Sequence, residues 1–390
     1  MNIVALKRRL AISLKVRPVL LAYYLMITVT IFNTNKYHAS LAFILYPVLL
    51  AFSLCLVKFQ CMVDKLKGYF VIVLICVSTI ISTFLSDVVS WSMTANSFLI
   101  FVLLYILLTV GKFNNEEIKS VLKFYAYITL FLALWILINL IFSRNLTNGR
   151  VSITFLGVLK DANYLSAYMT FGFFYFLVAL LLGSKKKKYI LYSGLIFVAI
   201  FMTGSRGGLV AMLAGLSVVI IKFIFLKGVN GRSIITSIGI VLCIFIAYIG
   251  LKETTLFSRM SDVDGYTENI RLTIWGYAIE GFLRRPWIGS GIQSGTYFSQ
   301  LHVRWYTHSC FVDLITSVGI IGGALYIWQY ITFCKVKKEN VFFIVGMLLV
   351  LFVPLMFING FETATFWMPM ALCKLVSDYC KHNNFCDLIL

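Results

Sequence analysis

His308 is one of only four histidines in the chain, and it stands in Thr307-His308-Ser309 at the start of an apolar run. An imidazole at a helix N-terminus among cations should have its pKa lowered. It would then be neutral and able to accept a proton; the plainer alternative is a satisfied interfacial histidine. Several arginines fall in settings that suit an anion. Arg206 lies in Thr203-Gly204-Ser205-Arg206-Gly207-Gly208, a tight turn between two apolar runs. Its backbone N–H groups and single guanidinium make a plausible anion cradle, although glycines serve an ordinary hairpin turn equally well. Arg271 and Trp275 are spaced i, i+4 in RLTIWGYAIEGFLRRP (271–286) and so share a helix face. Trp over a sugar ring with Arg on a phosphate would suit a glycan-phosphate ligand, whereas an aromatic belt accounts for many single tryptophans. Gly149-Arg150 precedes Asp161-Ala162-Asn163-Tyr164, which leads into another apolar run, and Arg304 lies just upstream of His308.

The elements that must position these residues are membrane-spanning helices. Of 390 residues, 61% are hydrophobic and 13% charged, against roughly a quarter charged in a soluble domain. A chain this apolar needs lipid as solvent. Apolar runs near the length of about 20 residues that a spanning helix requires fall at about 18–33, 39–57, 68–86, 95–111, 120–142, 162–183, 189–204, 207–226, 234–251, 309–334, 341–359 and 361–376. The expected fold is all-α and polytopic: about twelve spans in one membrane domain, 1–390, with a long extracytoplasmic loop at 252–308. Within that loop Ile270, Ile274, Tyr277, Ala278, Gly281 and Phe282 recur near helical spacing. They predict an amphipathic helix on the membrane surface, ended by Pro286 and followed by a turn-rich segment.

Lys and Arg set the orientation. With both termini cytoplasmic, the inner segments hold 22 of the 34 cations and the outer loops 11, in line with the positive-inside bias. The kind of cation differs more than the number. Inside, 18 are lysine; outside, eight are arginine. A topology signal needs only charge, whereas the guanidinium fork fits phosphate bidentately. Arginines kept outside therefore suggest a phosphate ligand there, with snorkelling to lipid headgroups as the alternative.

Other chemistries find little support. The net charge of +19 sits in short loops between apolar runs, where cations meet lipid headgroups, so nucleic acid is not an expected partner. Nine cysteines form no CxxC pair, and neither a disulfide framework nor a zinc site is indicated. There is no GxxxxGK[ST] run for ATP and no paired outer carboxylates beside His308 for metal-assisted chemistry. No metal and no cofactor are expected.

Taken together, the motifs resemble the O-antigen ligase and polymerase superfamily of bacterial surface-glycan enzymes. Its hallmark of His, then Asn, Ser or Arg, nine residues, Gly, two residues and a small or aromatic residue reads here as His308-Ser309, 310–318, Gly319-Ile320-Ile321-Gly322. The 271–295 stretch looks like the family's Arg-x-x-x-Trp helix with its proline-glycine exit. The Arg150 loop with Asn163 and the Ser205-Arg206-Gly207 turn are similar to further family features. The resemblance implies metal-independent glycosyl transfer on the outer face of the bacterial inner membrane. The donor would be a glycan on undecaprenyl pyrophosphate. By that analogy Arg206 and Arg271, with Arg150, hold the pyrophosphate, His308 takes the acceptor proton, and Asn163, Trp275 and Arg304 complete the substrate site. The reading is of a polymerase of lipid-linked repeat units. The alternatives are a ligase to lipid A core or protein and, in another class, a flippase for lipid-linked oligosaccharide. Expected partners are membrane lipid, the lipid-linked glycan, and a chain-length regulator and flippase of the same pathway. The family often carries an acid two residues before the motif glycine; this chain has Ser317 there.

Overall fold

The computed structural model describes residues 18–32, 66–110, 113–143, 146–147, 150–151, 153–155, 158–182, 187–227 and 266–389. Helices dominate. In chain order they are α1 (Pro18–Phe32), α2 (Phe70–Phe84), α3 (Met93–Val110), α4 (Asn115–Ser143), α5 (Ala162–Leu181), α6 (Lys188–Met202), α7 (Arg206–Lys227), α8 (Tyr266–Arg284), α9 (Ser294–Val303), α10 (Cys310–Phe333), α11 (Lys338–Phe352) and α12 (Ala364–Cys380). Four segments are long and apolar enough to cross a membrane: Asn115–Phe142, Ala162–Leu181, Cys310–Phe333 and Lys338–Phe357. Shorter apolar helices, including Phe70–Phe84 and Lys188–Met202, accompany them. The expected spans at 39–57 and 234–251, and the first part of the expected 252–308 loop, lie outside the described residues. The described helices therefore do not carry the count of twelve.

The all-α expectation holds, with one local addition. Four short strands lie between α4 and α5: Leu146–Thr147 pairs with Arg150–Val151, and Ile153–Phe155 with Val158–Lys160, both antiparallel. The residues separating the first pair, Asn148-Gly149, are the dipeptide most favoured in two-residue hairpin connections. The β-branched Val151, Ile153, Thr154 and Val158 favour extended over helical backbone.

The core is built by large aromatics packed between helices. Tyr125 of α4 stacks on Phe171 of α5 at 4.7 Å, and Trp367 of α12 meets Phe98 and Tyr105 of α3 edge-on at 5.7 and 5.8 Å. Small residues let backbones close up. A Cβ on Gly215 of α7 would run into Val350 of α11, and one on Gly346 would lie 2.8 Å from Phe174 of α5. Apolar side chains ring the outside as well: Leu103, Phe131, Ile138, Ile190 and Ile327 are all exposed, as lipid-facing positions are in a membrane protein. Membrane character is therefore shared by sequence and fold.

The α8 helix buries Ile274, Ala278 and Gly281 on one side, as the spacing predicts, and exposes Leu272, Ile279 and Leu283 on the other. A further helix, α9, begins within the stretch expected to be turn-rich. Its weak helix formers, Ser294, Gly295, Thr296 and Ser299, are buried against neighbours, so packing overrides local propensity.

Candidate functional site

Four helix N-termini face the same end of the bundle, and the linkers between helices converge there. Asp161 caps α5, its Oδ1 accepting from the Asn163 N–H at 2.7 Å. Arg206 opens α7 after Gly204, which adopts φ 59°. Ser309 caps α10, accepting from the Val312 N–H at 3.3 Å. Thr363 caps α12. Each end projects unsatisfied N–H groups and partial positive charge toward this region.

The 357–362 linker holds these pieces together. A Cβ on Gly207 would collide with the Phe357 ring, and the Arg271 guanidinium lies 5.7 Å from the centre of that ring. Phe357 is thus the common neighbour of the Arg206 turn and of Arg271, which are 65 positions apart. Next, Asn359 accepts from Tyr164 Oη through its carbonyl at 3.0 Å and from Thr307 Oγ1 through its Oδ1 at 3.0 Å. One residue ties the start of α5 to the turn that carries His308. Trp275 completes the brace, its indole N–H donating to the Thr307 carbonyl at 2.9 Å. The turn itself is strained: Arg304 and His308 sit at φ 56° and 49°, a left-handed region costly for residues with a Cβ.

His308 has its pKa lowered from the ordinary 6.5, first by burial and then by the charge of Arg271, while Asp161 pulls the other way. Imidazole, guanidinium and carboxylate are therefore close enough to feel one another. The lowered pKa agrees with the expectation from sequence, with burial rather than the surrounding cations as the larger cause. Ser317 is buried in α10. Its carbonyl accepts from Ser82 Oγ at 2.5 Å and from the Gly291 N–H at 3.1 Å. Among the described residues the acid felt by His308 is Asp161.

The hallmark glycine has a structural role that the spacing alone does not reveal. Gly319 breaks α10, with φ 64° and ψ −165°, a conformation open essentially to glycine. Segment 286–291 fits into the break. Ile320 and Ile321 donate to the Pro286 and Trp287 carbonyls at 2.8 and 3.1 Å, and Ser290 donates to Thr316 at 2.9 Å. A Cβ on Gly319 would lie 2.6 Å from the Gly289 nitrogen and from the Trp287 carbonyl. The expected span at 309–334 is therefore a single apolar segment, Cys310–Phe333, kinked at Gly319. The glycine-rich exit from α8 and the hallmark glycine are two halves of one joint, which fixes α8 against α10.

The other predicted site residues are distributed as follows. Asn163 is buried in the first turn of α5, its carbonyl accepting from Ser166 Oγ. Arg304 is exposed beside His308. Arg150 has its backbone in the first hairpin, paired with Thr147. Two further arginines are engaged elsewhere, Arg284 with Glu280 at 3.1 Å and Arg285 with Asp87 at 3.3 Å. Reading the sequence missed Phe357, Asn359 and the influence of the Asp161 charge on His308. Phe357, Asn359 and Glu362 fall in or just beside stretches read as spans, and nothing in their spacing marks them.

This fold and site define a class: an apolar helical bundle with an imidazole, an acid and arginines gathered where several helices begin. Residues 191–327 match the family model described as O-antigen ligase. The match supports the O-antigen ligase and polymerase superfamily, and it covers Arg206, Arg271, Trp275, Arg304, His308, Gly319 and Gly322. Arg150 and Asn163 precede it. No curated protein matches the chain.

Proposed function

We propose that this chain is a polymerase of lipid-linked oligosaccharide repeat units at the outer face of the bacterial cytoplasmic membrane. The convergence of Arg206, Arg271 and His308 around the 357–362 linker carries this reading. The bond broken joins the anomeric carbon of the growing glycan to undecaprenyl pyrophosphate; the bond formed joins that carbon to a hydroxyl of the next lipid-linked unit. Arg206 and Arg271, with Arg150, take the pyrophosphate and offset its charge as it departs. His308, neutral because burial and Arg271 disfavour its cation, removes the hydroxyl proton. Asp161 steadies the imidazolium that results. Asn163 holds the start of α5 against the site, and Arg304 flanks the acceptor side.

The family description favours a second reading, a ligase that hands the finished glycan to another acceptor. Chemistry at the donor is the same in both. A flippase would need cations deep between two bundles, whereas these arginines gather at one end. Purified protein given a single lipid-linked repeat unit, with EDTA and no nucleotide, is expected to produce a ladder on a gel. Failure of the ladder while the same protein transfers glycan to lipid A core would establish the ligase instead.

A further inference from the structure

The tryptophan that helical spacing picks out, Trp275, has its indole N–H committed to the Thr307 carbonyl. Two other aromatics are not so engaged. Trp305 and Tyr306 are 54% and 52% exposed and follow directly on exposed Arg304. Their backbone is nonetheless firmly held. Ser299 Oγ donates to the Trp305 carbonyl at 2.7 Å, and Thr307 is fixed to Asn359 and Trp275. The flanking residues, Arg304 and His308, are both in the left-handed region. Strain of that kind persists only where the surroundings impose it. Here it turns two large rings outward instead of folding them into the core.

The Trp305 ring lies 5.9 Å from the His308 imidazole, inclined at 59°. A hydroxyl close enough to give its proton to His308 therefore brings its own ring over or beside Trp305. The axial C–H faces of a pyranose are apolar and slightly positive, and the indole face is apolar and electron-rich. Elsewhere on this part of the chain the exposed apolar groups include aliphatic Leu272, Ile279, Leu283 and Leu301, which suit lipid tails better than sugar.

Resting on the glycosyl-transfer reading, we propose that Trp305 and Tyr306 form the acceptor subsite, a stacking platform that seats the sugar whose hydroxyl His308 deprotonates. Trp275 is then a positioning residue that braces the platform's turn. Trp287 provides a control. It is more exposed still, but its carbonyl accepts from Ile321, about 20 Å along α10 from His308.

The test uses full-length protein in nanodiscs and, as probe, the repeat-unit oligosaccharide cut from the host's own surface polysaccharide, without its lipid carrier. In equilibrium dialysis, Trp305→Ala is expected to weaken binding about tenfold or more, and Trp305→Phe by no more than about threefold. Trp287→Ala should bind like wild type. Unchanged binding in Trp305→Ala, or no binding by wild type, would overturn the subsite. So would strong quenching of the Trp305 indole, read against Trp305→Phe, by lipids brominated near the headgroup, since the ring would then be occupied by the leaflet. Failure of the transfer reading is separately visible: wild type would bind the oligosaccharide yet make no polymer and transfer no glycan. Retained binding in Trp305→Phe shows that the turn still folds.

Discussion

The two ends of the bundle are built on opposite principles. At the end away from His308, lysines meet close partners. Lys374 and Lys381 both reach Asp378, at 2.6 and 2.7 Å, and Lys222 donates to the Glu339 carbonyl while lying 3.6 Å from the centre of the Phe343 ring. Asn340 spends both functions of its amide on backbone groups of Cys380, Asn383 and Phe385. At the His308 end the backbone is forced instead. Among the described residues the left-handed positions are Gly204, Gly289, Gly291, Gln293, Arg304, His308, Gly319 and Gly360, and all belong to the linkers and joint on the His308 side. Buried polar groups there are also left short: Glu362 is 5% exposed, its Oε1 accepting from Gln293 while its Oε2 has no partner. At one end the lysines meet partners within the fold. The other holds strain and cations in place, which is what a site that receives a charged substrate requires.

The comparison breaks most sharply at the proposed site. His308→Ala and Arg271→Ala should each cut long-chain glycan by about a hundredfold or more, with membrane-embedded protein at wild-type level on an immunoblot; persistent chain length in both would remove the site. Gly319→Ala comes next. A Cβ meets backbone on two sides, and the φ/ψ pair is one that alanine avoids, so a loss of about 3 kcal/mol is expected, seen as a lower melting temperature in detergent. Arg206→Lys keeps charge but loses the fork, and its transfer rate should fall about tenfold.

A smaller effect concerns pH. The neutral imidazole is the active form, and burial with Arg271 lowers its pKa from 6.5. Activity should therefore hold as pH drops past the ordinary histidine range and fall only below it. Asp161 opposes that lowering, so Asp161→Asn should move the acidic limb of the rate profile further down. A limb that moves up would mean that Asp161 does not face the imidazole. Least of all, Lys381→Ala at the other end removes a partly exposed ion pair worth about 0.2–1 kcal/mol, and glycan length should not change.

Much of this was legible in the sequence because it is local. Helical stretches, glycine turns, the place of His308 at a helix start and the arginine-lysine contrast are properties of neighbouring residues. The Arg271–Trp275 spacing placed both on one helix, and the structure keeps them together. What was not legible is convergence. Phe357 joins residues 207 and 271, and Asn359 joins residues 164 and 307. No period or motif in a single chain records such pairings. The break at Gly319 was hidden for the same reason, since its cause is the distant segment 286–291. Trp275 shows the limit most clearly: spacing gives its face, but only the fold gives the Thr307 carbonyl that engages its N–H.

Sidedness tests the central claim most directly. Arg304→Cys beside His308 and Lys381→Cys at the opposite end, each measured against unsubstituted protein, can be treated in intact cells with a membrane-impermeant maleimide. The account predicts that position 304 is labelled at once and position 381 only after the membrane is opened. Labelling at 381 with protection at 304 would put the arginines and His308 in the cytosol and contradict it.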